Sequence, residues 1–298
     1  MLPVLLVFIG MAAFGYSNVC WKPIIKEVDT TSALFIRSLV SVSLLLFISL
    51  IVKFSPENGF TQSLSWNKTA AFDKWLLSGT SVVLSLAGLW LFIESMHHSD
   101  AGVSGVVVCC SSILSAITGW WWRDETFPLS TIMAFVLATV GVMLLDDWKS
   151  WSKPSVKGIL LSLGGAFFWA ISNLGFKEGT DNLGVLPFSL LQESIVVVLS
   201  GSGFAYRFFS QRKSRRLVTL GNQHRPLAII SLLTVAGVLC CNLGLNQLPI
   251  ALFSLLVLVQ PVTTLMSARF LLKERLTNRQ WLGVLFIFCG IFIGLSAH

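Results

Sequence analysis

The chain has 298 residues, of which 54% are hydrophobic and only 12% charged, and its mean hydropathy is +0.79. A soluble domain carries about 25% charged residues, so an ordinary soluble enzyme, a disulfide-stapled secreted domain and a disordered chain are all excluded. Ten membrane-spanning helices of about 20 residues would take about 200 residues and leave no room for a separate soluble domain. The net charge of +7 does not point to nucleic acid, because the basic residues sit in short connections between apolar runs, where membrane sidedness explains them.

Hydropathy and breaker residues predict ten spans: 2–21, 32–52, 75–95, 101–122, 128–146, 156–177, 184–206, 226–247, 250–271 and 279–296. Lipid demands closed backbone hydrogen bonding, and continuous apolar runs without period-two alternation select helices over a barrel. The fold class is therefore an all-α polytopic membrane protein. The first span has neither a basic leader nor an A-x-A cleavage site, and reads as a retained helix rather than a signal peptide. After the third span, His97, His98 and Asp100 share a tight turn; adjacent histidines there read as solvated, and no metal or cofactor is expected. Trp120, Trp121 and Trp122 close the fourth span as an interfacial belt. Ala134-xxx-Ala138 in the fifth span and Gly290-xxx-Gly294 in the tenth fit close helix packing, within the chain or in a homodimer. All six cysteines fall in apolar runs, with Cys109–Cys110 and Cys240–Cys241 adjacent, and read as small packing residues.

Alternate connections differ in charge. Those after spans one, five, seven and nine, with the span ends that flank them, hold 15 Lys and Arg, the opposite set holds five, and Arg37 lies inside span two. The positive-inside rule then places both termini outside the cell.

The two halves of the chain resemble each other. Phe14-Gly-Tyr-Ser17-Asn18-Val-Cys-Trp-Lys22 matches Trp169-Ala-Ile-Ser172-Asn173-Leu-Gly-Phe-Lys177 at an offset of 155. Arg123-Asp-Glu125-Thr-Phe127 matches Leu272-Lys-Glu274-Arg-Leu276 at an offset of 149, as Gly141 matches Gly290. Residues 1–148 and 155–298 thus read as two five-helix repeats. Five is odd, so the second repeat must be inverted in the membrane, the architecture of transporters whose site lies at the repeat interface near the midplane.

Gln260-Pro261-Val262, Leu271-Leu-Lys-Glu274-Arg-Leu276-Thr277, Gln280-Trp-Leu-Gly283 and Gly290, together with Arg37 early in the second helix, resemble the drug/metabolite transporter superfamily, specifically EamA-type permeases with two inverted five-helix repeats. The resemblance covers essentially the whole chain. Ser111 stands where the second copy has Pro261, and Asp124 or Lys273 replaces the family's usual glycine before the loop glutamate. The resemblance implies secondary transport of small polar metabolites by alternating access, with export favoured over uptake. Amino acids or related zwitterions are the leading substrate class and the bacterial inner membrane the expected location.

Duplicated amides make Asn18 and Asn173 candidate substrate ligands, since each offers a donor and an acceptor to a zwitterion; interhelical hydrogen bonding is the competing reading. Trp169 shares the face of Asn173. Tyr16, Trp90, Asn242 and Gln260 are further candidates for the same cavity, with helix packing as their alternative. Lys22 and Lys177 near span ends are expected to snorkel to headgroups. Glu193, about ten residues into its span, needs a cavity, a partner or a proton. Two readings follow: proton coupling, or a static bridge to Arg37 at almost the repeat-equivalent place. The expected partners are a small-molecule substrate, the lipid bilayer and, under the first reading, protons. The alternatives to a transporter are an intramembrane enzyme and a non-transporting sensor or accessory protein. H-E-x-x-H, G-x-S-x-G and Walker motifs are absent from the sequence.

The charge asymmetry makes a direct prediction. In a cysteine-free background, impermeant thiol reagents applied to intact cells label Ser63→Cys and spare Ser214→Cys. The reverse pattern overturns the orientation and leaves the repeat intact.

Overall fold

A computed structural model describes residues 1–28, 30–55, 64, 70–95, 98, 101–145, 155–210, 224–272 and 276–297, and among these residues all regular secondary structure is helical. In chain order the helices are α1 (Leu2–Glu27), α2 (Thr30–Phe54), α3 (Phe72–Ser95), α4 (Ala101–Arg123), α5 (Leu129–Leu145), α6 (Val156–Leu183), α7 (Val185–Ser210), α8 (His224–Gln247), α9 (Ile250–Val257), α10 (Val259–Leu272) and α11 (Asn278–Ser296). Each predicted span is thus a helix, and the ninth is a broken one. Among the described residues, eight stretches are long and apolar enough to cross a membrane, and α5 is a shorter apolar helix.

The helices depart from the apolar runs in two instructive places. First, α1 and α6 continue to Glu27 and Leu183, beyond the Lys22 and Lys177 that end the hydrophobic stretches. Charge ends a lipid-compatible surface but not a helix, and α6 stops only at Gly184, whose φ of 92° reverses the backbone. Second, the ninth span breaks at Leu258, between α9 and α10. Pro261 lacks the N–H that would bond the Val257 carbonyl and its ring crowds that turn. The unbroken α4 has Ser112, rather than the Ser111 of the simple alignment, 149 residues before Pro261.

Packing runs between repeats more than within them. α1 lies against α8 and α10; its counterpart α6 lies against α3 and α4; α2 meets α7, and α5 meets α11. Close approach is built from small residues, as expected where lipid removes any hydrophobic drive between helices. A methyl on Gly165 of α6 would sit 2.9 Å from the Gly88 carbonyl of α3. Its counterpart Gly10 on α1 faces the Gly237 carbonyl of α8 at 3.0 Å, with the Cys241 sulfur nearer still. The offsets relating these pairs are 155 for the first helices of each repeat and 149 for the later ones, the same as in the sequence matches. The α5–α11 contact is reciprocal in the same way: Gly141 abuts the Gly283 carbonyl and Gly290 the Ala134 carbonyl. The two small-residue motifs therefore pack on each other inside one chain. Around them lies the largest apolar cluster, including Val7, Phe135, Leu245, Ile250, Leu255 and Ile287.

These antiparallel contacts, such as Gly244 against Pro3 and Val7, put both chain termini at one end of the bundle. This near end also carries the ends of α2, α4, α6 and α8 with the starts of α3, α5, α7 and α9; apart from the α9–α10 break within the ninth span, the other helix ends lie at the far end. Because a methyl on Gly141 would sit 2.7 Å from the Gly283 carbonyl, Gly141→Leu should separate α5 from α11. Overpacking costs about 1–3 kcal/mol, so thermal unfolding in detergent should show a clear drop in midpoint, whereas Met133→Leu on the exposed side of α5 should leave it unchanged.

Candidate functional site

Two polar contacts sit at equivalent places on the repeat interface. Asn173 on α6 donates from Nδ2 to Ser115 Oγ on α4 at 2.9 Å, and Asn18 on α1 lies with Nδ2 3.4 Å from Thr264 Oγ1 on α10. The asparagines are 155 residues apart and the hydroxyl residues 149, so the contact is duplicated as a unit. The copies differ in looseness: Asn173 is half-buried with a short bond, and Asn18 is exposed with a long one. The α1–α10 approach is fixed beside it, where Thr263 Oγ1 lies 2.9 Å from both the Met11 and the Gln260 carbonyls over Gly15.

The other sequence candidates are distributed around these contacts. Trp169 donates from Nε1 to the Ser85 carbonyl at 2.9 Å and tilts against Phe92, tying α6 to α3. Asn242, buried on α8, donates to Ser189 Oγ at 2.9 Å and reaches Gln192 Oε1 at 3.4 Å on α7. Gln260 is half-buried beside the break. Tyr16 and Trp90 are exposed, on stripes shared with Leu5 and Ile9 and with Leu76 and Val83 respectively; the opposite side of α3 is the one that meets α6. Arg37 and Glu193 come together at 3.1 Å between α2 and α7, with side chains 11% and 3% exposed. Arg37 Nη2 also donates to Ser38 Oγ at 2.7 Å. At the 155 offset, Arg37-Ser38 corresponds to Gln192-Glu193, so the ion pair straddles the repeat symmetry. Glu193 Oε2, the atom nearest Arg37, is paired by charge rather than by a well-aligned hydrogen bond.

Lys177 corrects the snorkelling expectation. It is buried and donates to the last carbonyls of α8, Leu245 at 2.8 Å and Asn246 at 2.7 Å, with Asp181 Oδ1 at 3.2 Å. A cation on the C-terminal carbonyls of a helix satisfies groups with no intrahelical partner and complements the dipole. Around it the near end is laced with charge. Arg123 at the end of α4 grips Glu178 through Nη1 and Asp181 through Nη2, the latter at 2.9 Å. Asn246 donates to the Thr180 carbonyl at 3.1 Å and to Asp181 at 3.2 Å, and Lys74 of α3 stands 3.8 Å from Glu178. Glu125 accepts from the N–H groups of Ile250 at 3.0 Å and Ala251 at 3.3 Å, the first two residues of α9. Sequence reading missed Glu178 and Asp181. The available signal was their spacing from Lys177 and Asn182, which puts four polar groups on two adjacent turns just past an apolar run. His97 and Asp100 lie outside the described residues, and His98 stands 3.6 Å from Glu94 one turn back.

The duplicated geometry has counterparts among known proteins. The model of the EamA-like transporter family matches the chain twice, over residues 1–145 and 156–295. The chain belongs to the EamA-like transporter family. It is 25% identical over 238 residues to a probable amino-acid metabolite efflux pump of Escherichia coli (strain K12), covering 74% of this chain and 76% of that protein. It is also 25% identical over 126 residues to mouse solute carrier family 35 member F3, covering 42% of this chain and 28% of that protein. A crystal structure with 9% sequence identity superposes with a TM-score of 0.78 over 99% of this chain and 96% of that one, which shows a shared fold.

Membership makes the protein an integral, multi-pass membrane transporter, and the structure accounts for one departure from the EamA pattern. Asp124, at the place of the family's usual glycine, has φ 53°. Only glycine adopts this region freely, with Asp and Asn the best-tolerated substitutes, so the glycine preference is conformational and Asp124 meets it. The second copy's Lys273 and Glu274 lie outside the described residues.

A buried pair predicts a particular mutational pattern. Removing one partner leaves an uncompensated buried charge, costing about 3–5 kcal/mol. Glu193→Gln and Arg37→Gln should each lower thermal stability in detergent, and the double variant should recover part of the loss. Additive losses would show that the two charges do not act as a pair.

Proposed function

We propose that this EamA-family transporter exports a small zwitterionic metabolite, with amino acids the leading class, across the bacterial inner membrane by alternating access. The observation that carries the reading is the duplicated amide–hydroxyl contact, Asn18 with Thr264 and Asn173 with Ser115. These groups lie where α1 meets α10 and α6 meets α4, at the interface where inverted-repeat transporters hold their cargo. The hydroxyls occupy the amide nitrogens and leave the amide oxygens to accept from an ammonium group. Displacing a hydroxyl frees the nitrogen to donate to a carboxylate. Both charged ends of a zwitterion then find partners without a fixed charge at the site, since Arg37 and Glu193 neutralise each other between α2 and α7. The printed name of the Escherichia coli relative, an amino-acid metabolite efflux pump, agrees in substrate class and direction.

Glu193 supports a second reading of the energetics, because it is a carboxylate buried well inside a membrane span. In proteoliposomes, a Glu193→Gln variant that still exchanges substrate but ignores a pH gradient would make it the coupling group. Intact gradient-driven flux would leave it a structural pair.

Counterflow of radiolabelled amino acids, nucleosides and sugars into proteoliposomes tests the main proposal. Asn18→Ala and Asn173→Ala should each weaken amino-acid transport while thermal stability stays near wild type. Losing a hydrogen bond to a charged group costs about 1.5–3 kcal/mol, or roughly 10-fold to 150-fold in affinity. Activity lost in proportion to folded protein would make the amides packing groups, and flux of sugars alone would overturn the substrate class.

A further inference from the structure

We infer that Glu125 and Lys177 form a latch that holds the near end of the transporter closed, and that Glu125 must release α9 each time that end opens. The turn between α8 and α9 is gripped from both sides. Lys177 binds the Leu245 and Asn246 carbonyls that end α8, and Glu125 binds the Ile250 and Ala251 N–H groups that begin α9. Each grip puts the charge that its helix terminus favours on groups with no intrahelical partner. The grips come from separate places, the α4–α5 connection of the first repeat and the end of α6 in the second. Arg123, two residues before Glu125, ties these two places together through Glu178 and Asp181.

The local backbone is shaped for this contact. Asp124 takes its left-handed conformation immediately before Glu125, and the Glu125 N–H returns to the Gly119 carbonyl at 3.4 Å. Gly119 leaves the space the carboxylate occupies: a methyl there would sit 2.8 Å from Glu125 Oε2 and 3.0 Å from Ile250 Cβ. The contact crosses the repeat interface and has no covalent backing. Separation of α4 from α9 at this end therefore exposes two N–H groups and one carboxylate to water, which can solvate all three. That makes the latch reversible, unlike the midplane contacts.

The inference rests on the transport reading only for its effect on turnover; its distance readout stands independently. In a cysteine-free background, spin labels at Thr126→Cys and Gln247→Cys, both exposed near-end positions, report the separation across the latch. The otherwise unaltered latch should give one dominant short distance. Glu125→Gln keeps the shape, removes the charge and should raise the population of a longer distance by about tenfold or more. Glu125→Asp, too short to span both amides, should do the same while retaining the charge. A short distance unchanged in folded protein for both variants overturns the latch. Should Glu125→Gln not fold, the Asp variant carries the test alone. A lengthened distance with no transported substrate in the counterflow screen would sink the proposed function and leave the latch standing.

Discussion

A chain that repeats itself after an odd number of membrane crossings must set its second copy upside down, and the packing of this protein follows from that constraint. Inversion makes the first helix of each repeat antiparallel to the third helix of the other. The glycine that lets one pair approach then recurs in the second, as Gly10 and Gly165 do. The same relation pairs α2 with α7 and α5 with α11, the contacts nearest the symmetry axis. In lipid, apolar side chains gain little by leaving their surroundings, so this reciprocity of small residues does what hydrophobic burial does in water.

Charge divides the molecule along its length. At the near end, Arg123, Lys177, Glu178 and Asp181 remain 9–26% exposed and join α4, α6 and α8 through contacts water can replace. Between α2 and α7, Arg37 and Glu193 are 11% and 3% exposed, so the Glu193 carboxylate is more deeply buried than any of these four end groups. The near-end contacts can break and reform at modest cost, whereas the buried pair must stay together or strand a charge. On the static-bridge reading, this difference separates the surfaces that part during the proposed transport cycle from a fixed seam between α2 and α7.

Much of this fold was legible in the sequence because lipid imposes long apolar runs, and because the duplicated Ser-Asn stretch and Gly141 with Gly290 carry the repeat offsets directly. The Arg37–Glu193 contact was also within reach, since two opposite charges at equivalent depths leave few other arrangements. The near-end network was not. Hydropathy ended span six at Lys177, and the acidic residues beyond it read as a connection rather than as the last turns of a helix. Lys177 itself defied the default because the carbonyls at the end of α8 lie within hydrogen-bond reach of its ammonium group, a fact of tertiary placement. The lesser placement of Tyr16 and Trp90 has the same origin, for amphipathicity cannot be read on helices whose surroundings are apolar on every side.

The broken ninth span connects the proposed latch with the Asn18 contact. α9 has only eight residues, with Glu125 on its first N–H groups and the Pro261 break at its end. Beyond the break, α10 carries Thr263 and Thr264 against Met11 and Asn18 of α1. A continuous helix would pass any displacement at the near end rigidly to the Asn18 contact. The missing hydrogen bond below Leu258 softens that link, so α9 can leave Glu125 while α10 keeps its hold on α1. The first repeat lacks this break, since α4 runs uninterrupted from Ala101 to Arg123, and there the Asn173–Ser115 contact is the shorter and more buried of the two. The looser amide contact thus belongs to the helix with the hinge. The two halves are alike in architecture yet differ at this break, and in the proposed alternating-access cycle that inequality gives one end of the bundle a way to move before the other.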